Sequence, residues 1–116
     1  MADLLVDTDM FIDHLRGARR LQPGDNRLWY SVVTRCELYA GSRVDEDAVD
    51  RLLGPFREVP VDRAIAEEAG RLRRETGVRI ADALIAASAL EFGLTLATRN
   101  VRDFEKVPRL AVHPPL

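Results

Sequence analysis

Apolar residues along this chain alternate between short continuous runs and longer stretches where they recur every three or four positions. Leu4-Leu5-Val6 is a run of the first kind, ending at Asp7, and it predicts a buried strand. From Asp9, the residues Met10, Phe11, Ile12 and Leu15 give a helix an apolar face, and Gly17 is its stop signal. Leu21 to Arg27 holds Pro23, Gly24, Asp25 and Asn26 and predicts a loop. Leu28 to Val33 is apolar, aromatic and β-branched, so it predicts a second strand. Thr34 then opens a helix to Gly41, with Glu37 at the spacing of a capping box. Asp45 to Leu53 predicts another helix, closed by Gly54-Pro55, and Glu58 to Val61 a short extended piece.

Asp62 to Thr76 is the clearest helix. Ile65, Ala69 and Leu72 form a stripe, Glu67 and Glu68 come early, and Arg71, Arg73 and Arg74 come late, an order that suits the helix dipole. Ile80 to Phe92 is Ala-rich with little polar surface, which predicts a central, buried helix ended by Gly93. Leu94 to Thr98 predicts a third strand and Asn100 to Phe104 a turn. Leu110-Ala111-Val112 predicts a last short strand before Pro114-Pro115. Strands separated by helices imply an α/β fold, a mostly parallel sheet with helices on both faces. With 116 residues and no repeat or linker, residues 1–116 form one domain.

Composition narrows the function. Seventeen basic residues against nineteen acidic ones leave a formal charge of -2, which excludes a polycation that holds nucleic acid by bulk charge. A hydrophobic content of 47% excludes a disordered chain. The one cysteine, Cys36, excludes an internal disulfide and a cysteine-rich zinc site. His14 and His113 are isolated and read as surface or packing residues. No run approaches a membrane span, and the acidic start is wrong for a secretory signal, so the expected compartment is the cytoplasm.

Acids follow the strands, and in parallel α/β sheets sites form beyond the carboxyl ends of strands. Asp7 follows the first, and Glu37 lies in the helix after the second. Asp82 lies in the first turn of the Ala-rich helix, and Asp103 beyond the third strand, three residues after Asn100. Each has a plainer reading as a cap or turn residue, and Asp9 and Asp13 read as helix-start and surface acids. Together, several carboxylates at one sheet edge require a compensating cation or raised pKa values. No lysine is expected near them. Hard oxygen donors without cysteine or paired histidine point to Mg²⁺ or Mn²⁺ and to phosphodiester hydrolysis.

The segments LLVDTDMFIDHLRG, YSVVTRCELYAG, RIADALIAASALEFGLTLATRN and VRDF, in that order, resemble the PIN-domain ribonucleases. They look most like the VapC toxins of type II toxin–antitoxin modules. The resemblance implies a three-layer α/β/α sandwich and metal-dependent cleavage of RNA, such as tRNA or rRNA. It also implies a homodimer and a small VapB-like antitoxin, whose C-terminal segment wraps the toxin and brings a basic side chain to the acids. Carried over by position, the catalytic and metal-binding acids are Asp7, Glu37 and Asp82. The fourth is Asp103 or is replaced by Asn100, a departure from the fullest pattern that leaves open one metal or two. Thr8 and Thr98 are expected to orient the aspartates or a water.

Sixteen of the seventeen bases are arginine, which grips phosphate through a planar fork. Arg43, Arg79 and Arg99 flank the acidic segments and are the candidate RNA contacts. Two other readings exist. Asp7-Thr8-Asp9 resembles the start of haloacid-dehalogenase-like phosphatases, but Lys106 follows every candidate acid where those enzymes need a lysine upstream of a later acidic motif. A catalytically inactive PIN-like module binding RNA or protein is favoured by Asn100 and opposed by the intact Asp7, Glu37 and Asp82.

Overall fold

Leu4-Leu5-Val6 lies in the middle of a five-stranded sheet because it is apolar on both faces. In the computed structural model, which describes Met1–Leu116, Leu4, Leu5 and Val6 are at most 1% exposed. The strands are β1 (Asp3–Val6), β2 (Arg27–Ser31), β3 (Arg57–Val59), β4 (Thr95–Ala97) and β5 (Val112–His113). Their order is β3-β2-β1-β4-β5, and every pairing is parallel. Leu5 sits opposite Trp29 on one side and Leu96 on the other. The sheet is thus wholly parallel where the sequence predicts it mostly so.

Alternation along β1 divides the core in two. Leu5 and Leu96 pack with Ile65, Leu72, Ile85 and Ala86 from α4 (Arg63–Thr76) and α5 (Ile80–Phe92). Leu4, Val6 and Ala97 face the other way, onto residues of α1 (Thr8–Leu15), α2 (Val32–Tyr39) and α3 (Glu46–Leu53), among them Phe11, Leu38 and Leu53. The short α6 (Val101–Phe104) anchors Phe104 in the first of these cores. Three layers result, with the sheet in the middle. No helix is long and apolar enough to cross a membrane.

Side-chain caps place the helix starts. Asp45 caps α3 and Asp62 caps α4, each accepting a backbone N–H three residues on, and Gly77 and Gly93 close α4 and α5 in the left-handed region. Five expectations need correction. Helix α1 starts at Thr8, with Asp7 as its cap. Val32 and Val33 belong to α2, because Ser31 turns the chain and its hydroxyl accepts the Val33 N–H at 3.0 Å. Thr34 therefore caps nothing and Glu37 closes no capping box. The β-branched pair Val32-Val33 mimics a strand, but this cap overrides it. Helix α5 is buried along its middle, yet its ends are open, with Ile80 57% and Phe92 46% exposed. The last strand also falls later than expected, at Val112–His113, and the third extended piece earlier, at Arg57–Val59.

Removing the cap while sparing the acid separates these roles. Ser31→Ala is expected to cost about 1 kcal/mol in urea unfolding. Glu37→Gln is expected to cost much less, since a Gln carbonyl still accepts the hydrogen bond that Glu37 receives. No loss in Ser31→Ala would take the cap away from Ser31.

Candidate active site

The chain runs from β1 to β2 and β3 on one side of the sheet, then returns to β4 and β5 on the other. The strand order therefore switches between β1 and β4, where parallel α/β sheets open a crevice at their carboxyl ends. Asp7 ends β1 and Thr98 follows β4, and the two meet there. The Thr98 hydroxyl donates to Asp7 Oδ2 at 2.7 Å, and the Thr8 N–H donates to Oδ1 at 2.8 Å. Asp7 is only 4% exposed, and Thr98 is fully buried. Burial pushes the Asp7 carboxyl up from 3.8 to about 6, with the charges of Asp9 and Asp82 adding to the effect against the lowering by Thr98 and Thr8.

Hydroxyl groups extend this contact into a frame. Thr8 Oγ1 donates to Glu37 Oε1 at 2.8 Å and lies 2.8 Å from Thr34 Oγ1. A hydroxyl has one proton, so Thr34 must be the donor to Thr8. Thr34 is fully buried, and its displaced role as a helix cap becomes that of an anchor for Thr8. On the other side, Thr98 Oγ1 accepts the Asn100 N–H at 2.9 Å, and Asn100 Nδ2 donates to Asp103 Oδ2 at 3.0 Å. Asn100 thus holds Asp103 in place, and Asp103 is the carboxylate of this pair.

Asp82 enters from the first turn of α5 and is 9% exposed. Burial raises its pKa, Arg79 opposes the rise with Nε 3.4 Å from Oδ2, and the charges of Asp9 and Asp103 add to it. The structure therefore brings Asp7, Asp82 and Asp103 into one electrostatic field and ties Glu37 to it through Thr8. Asp9, read from the sequence as a helix-start acid, belongs to the same field. Its signal was the Asp-Thr-Asp spacing, which puts Asp9 in the first turn of the helix that Asp7 caps. Asp13 is the clamp of Arg99, with both carboxylate oxygens within 3.0 Å of Nη1. Lys106 corrects the expectation that no lysine is near, since its Nζ lies 4.0 Å from Asp103, one helical turn on. Arg43 sits on the wall of a neighbouring groove with Glu37. His14 is a packing residue, its Nδ1 accepting the Leu21 N–H at 3.0 Å.

No three of these side chains converge into a preformed metal cage. The donor chemistry nevertheless fits Mg²⁺ or Mn²⁺, because Mg²⁺ keeps several waters and takes only one or two carboxylates. Asp7 and Asp82 are two such groups, desolvated and in each other's field.

The burial of Asp7 has a measurable signature in the metal-free protein. Between about pH 4 and 6 the folded chain keeps a proton that the unfolded chain has released, so stability falls as pH rises through that window. The whole effect corresponds to about 3 kcal/mol at pH 7. In EDTA, Asp7→Asn is expected to match the wild type near pH 4 and to exceed it by about 2 to 3 kcal/mol above pH 6. A stability difference that does not change with pH would contradict the assignment.

Known proteins share both the sequence and the arrangement. A profile of the PIN domain matches residues 4–110. Ribonuclease VapC10 of Mycobacterium tuberculosis is 38% identical over 119 residues, covering 92% of this chain and 90% of that protein. A toxin–antitoxin complex from Klebsiella pneumoniae contains a chain with 30% identity and a TM-score of 0.75, covering 94% of this chain and 96% of that one. VapBC2 from Rickettsia felis, bound to a promoter DNA fragment, has the same fold at 17% identity, with a TM-score of 0.80 over 98% and 99% of the two chains. The chain belongs to the PIN-domain family and, within it, to the VapC ribonucleases.

Proposed function

We propose that this chain is a Mg²⁺- or Mn²⁺-dependent endoribonuclease toxin whose active site is the acidic crevice between β1 and β4. The observation that carries the reading is Asp7, a carboxylate buried at the carboxyl end of β1 and within the electrostatic field of the buried Asp82. A fold has no structural need for two desolvated acids in one field, and groups of that kind cluster at functional sites. Asp7 and Asp82 would hold the metal, with Glu37 and Asp103 completing the acidic set from either side. When bound, the metal supplies charge neutralisation at the scissile phosphate and lowers the pKa of the attacking water. Thr98 and Thr8 fix the Asp7 carboxylate, and Thr34, through Thr8, fixes Glu37, whose partly open oxygens could accept a proton from that water. Asn100 fixes Asp103, so the residue that favours an inactive module becomes a support for the fourth acid.

The substrate is a folded RNA such as tRNA or rRNA, and Arg43 and Arg99 stand at the rim to meet it. Arg99 is committed to Asp13 and sits 3.8 Å from Asp9, so it acts as a fixed positive post. Arg43 forms no ion pair and is free to reach phosphate. The reading includes a homodimer, a cytoplasmic location and neutralisation by a small VapB-like antitoxin. A groove of about 570 Å³ between α1, α2 and α3 supports the antitoxin: Ile12, Leu38 and Val49 line it, and Glu37 opens into it beside the active site. An apolar segment seated there could carry a basic side chain to the acids.

Incubation of total RNA with the protein and Mg²⁺ or Mn²⁺ is expected to give discrete cuts that EDTA abolishes. Asp7→Asn and Asp82→Asn are each expected to lower the rate at least a hundredfold. Cuts that persist in both variants would refute the nuclease assignment, and absent Mn²⁺ binding at millimolar concentration would favour the inactive module. Expression is expected to arrest growth, and co-expression of the adjacent small open reading frame to relieve it. Light scattering reads the oligomeric state.

A further inference from the structure

Arg79 occupies a position where arginine does nothing for the helix it begins. It is the N-cap residue of α5, and its side chain makes no capping hydrogen bond. Serine, threonine, aspartate or asparagine would cap that end, and a positive charge there opposes the helix dipole. Only its backbone serves the helix, through the Arg79 carbonyl that accepts the Ala83 N–H at 2.8 Å. A residue that forgoes the helix cap and sends its charge to a carboxylate of the acidic site points to a role beyond the helix.

The side chain turns to the active site. Its Nε lies 3.4 Å from Asp82 Oδ2, and its charge is felt by Glu37 and Asp9 as well. Apart from Lys106, 4.0 Å from Asp103, it is the one basic side chain paired with any of Asp7, Glu37, Asp82 and Asp103. The pairing is loose. The Arg79 side chain is 76% exposed against 13% for Asp82, and the terminal nitrogens of its guanidinium bond nothing. Arg99 and Arg35, by contrast, spend theirs on short contacts with Asp13, Asp50 and Tyr30. A single long contact to a well-hydrated guanidinium is a weak hold on a desolvated carboxylate.

We propose that Arg79 is a movable cation of the active site: it neutralises Asp82 in the metal-free protein, yields that carboxylate to a divalent cation, and then grips a phosphate of the RNA substrate. The proposal rests on the nuclease reading above and adds an exchange to it. The same charge that competes with the metal for Asp82 becomes available to the substrate once the metal is in place. Metal binding and RNA gripping are thereby coupled through one side chain. The planar fork suits the second task, since it meets two phosphate oxygens at once, as lysine cannot.

Arg79→Ser and Arg79→Lys in the full chain test the exchange. Serine caps a helix N-terminus, so Arg79→Ser retains the fold while losing the charge. Titration with Mn²⁺ alone, read by calorimetry, is expected to show roughly two- to fivefold tighter binding in Arg79→Ser than in wild type. In RNA cleavage the same variant is expected to raise KM roughly tenfold and to flatten the slope of log KM against log salt by about 0.7. Arg79→Lys is expected to keep the wild-type Mn²⁺ affinity and salt slope and to raise KM by less than Arg79→Ser does. Unchanged Mn²⁺ affinity in Arg79→Ser, or an unchanged salt slope, overturns the exchange. Absence of metal-dependent cleavage in wild type would instead overturn the nuclease reading, and the Mn²⁺ titration would still decide the competition for Asp82.

Discussion

A carboxylate buried at the end of the central strand is the constraint on which the rest of this structure depends. Asp7 sits where β1 gives way to α1, out of contact with water, at a cost of about 3 kcal/mol in its ionised form. The surroundings offset part of that cost without removing it. The Thr8 N–H at the start of α1 and the Thr98 hydroxyl beyond β4 each donate to one of its oxygens, and no side chain of opposite charge touches it. The protein thus tolerates a carboxylate that it could neutralise with one nearby lysine. Such tolerance is the expected mark of a residue kept for chemistry rather than for stability.

The threonines show how the fold keeps that carboxylate in place with uncharged groups. Thr34, Thr8 and Thr98 come from α2, α1 and the end of β4, and all three are buried. Thr8 and Thr98 each receive one hydrogen bond and give another, and Thr34 gives its proton to Thr8, so a bound proton in one place fixes an oxygen in the next. Asp7, Glu37, Asp82 and Asp103 come from four separate elements, and only the parallel sheet, with every strand pointing the same way, gathers those elements at one edge. The near-zero net charge of the chain is then a sum over unlike regions. Asp7, Asp9, Glu37, Asp82 and Asp103 gather at the carboxyl edge of the sheet, while arginines such as Arg43 and Arg102 lie on the exposed surface.

Much of this was legible in the sequence. The runs Leu4-Leu5-Val6 and Ile80 to Phe92 are so apolar that only a central strand and a central helix can accommodate them, and the glycines after the helices mark their ends. Asp7, Glu37 and Asp82 were visible as acids following strands or opening helices. What stayed hidden depends on contacts between residues distant in the chain. Ser31 and Thr34 are both good N-cap residues three positions apart, and only the pairing of Ser31 with Val59 in β3 ends the strand there and gives Ser31 the cap. The choice between Asn100 and Asp103 turns on a side-chain hydrogen bond that spacing cannot supply. Asp9 read as a helix-start acid because its significance lies in the field of Asp82, and no lysine was expected near the acids because the 4.0 Å approach of Lys106 to Asp103 depends on the turn that follows α6.

The bond from Thr98 to Asp7 joins positions 91 residues apart. In a chain made from its amino end, the first acid of the site is therefore synthesised at the outset and must wait for nearly the last strand before it has its partner. Until β4 has emerged and taken its place beside β1, the crevice has one wall, and Asp82 has no finished sheet edge to lean over. Thr98 comes about five-sixths of the way along the chain, whereas the groove between α1, α2 and α3 is lined by residues 12–49, all from its first half. The residues that line that groove are thus made before the last residue of the acidic edge.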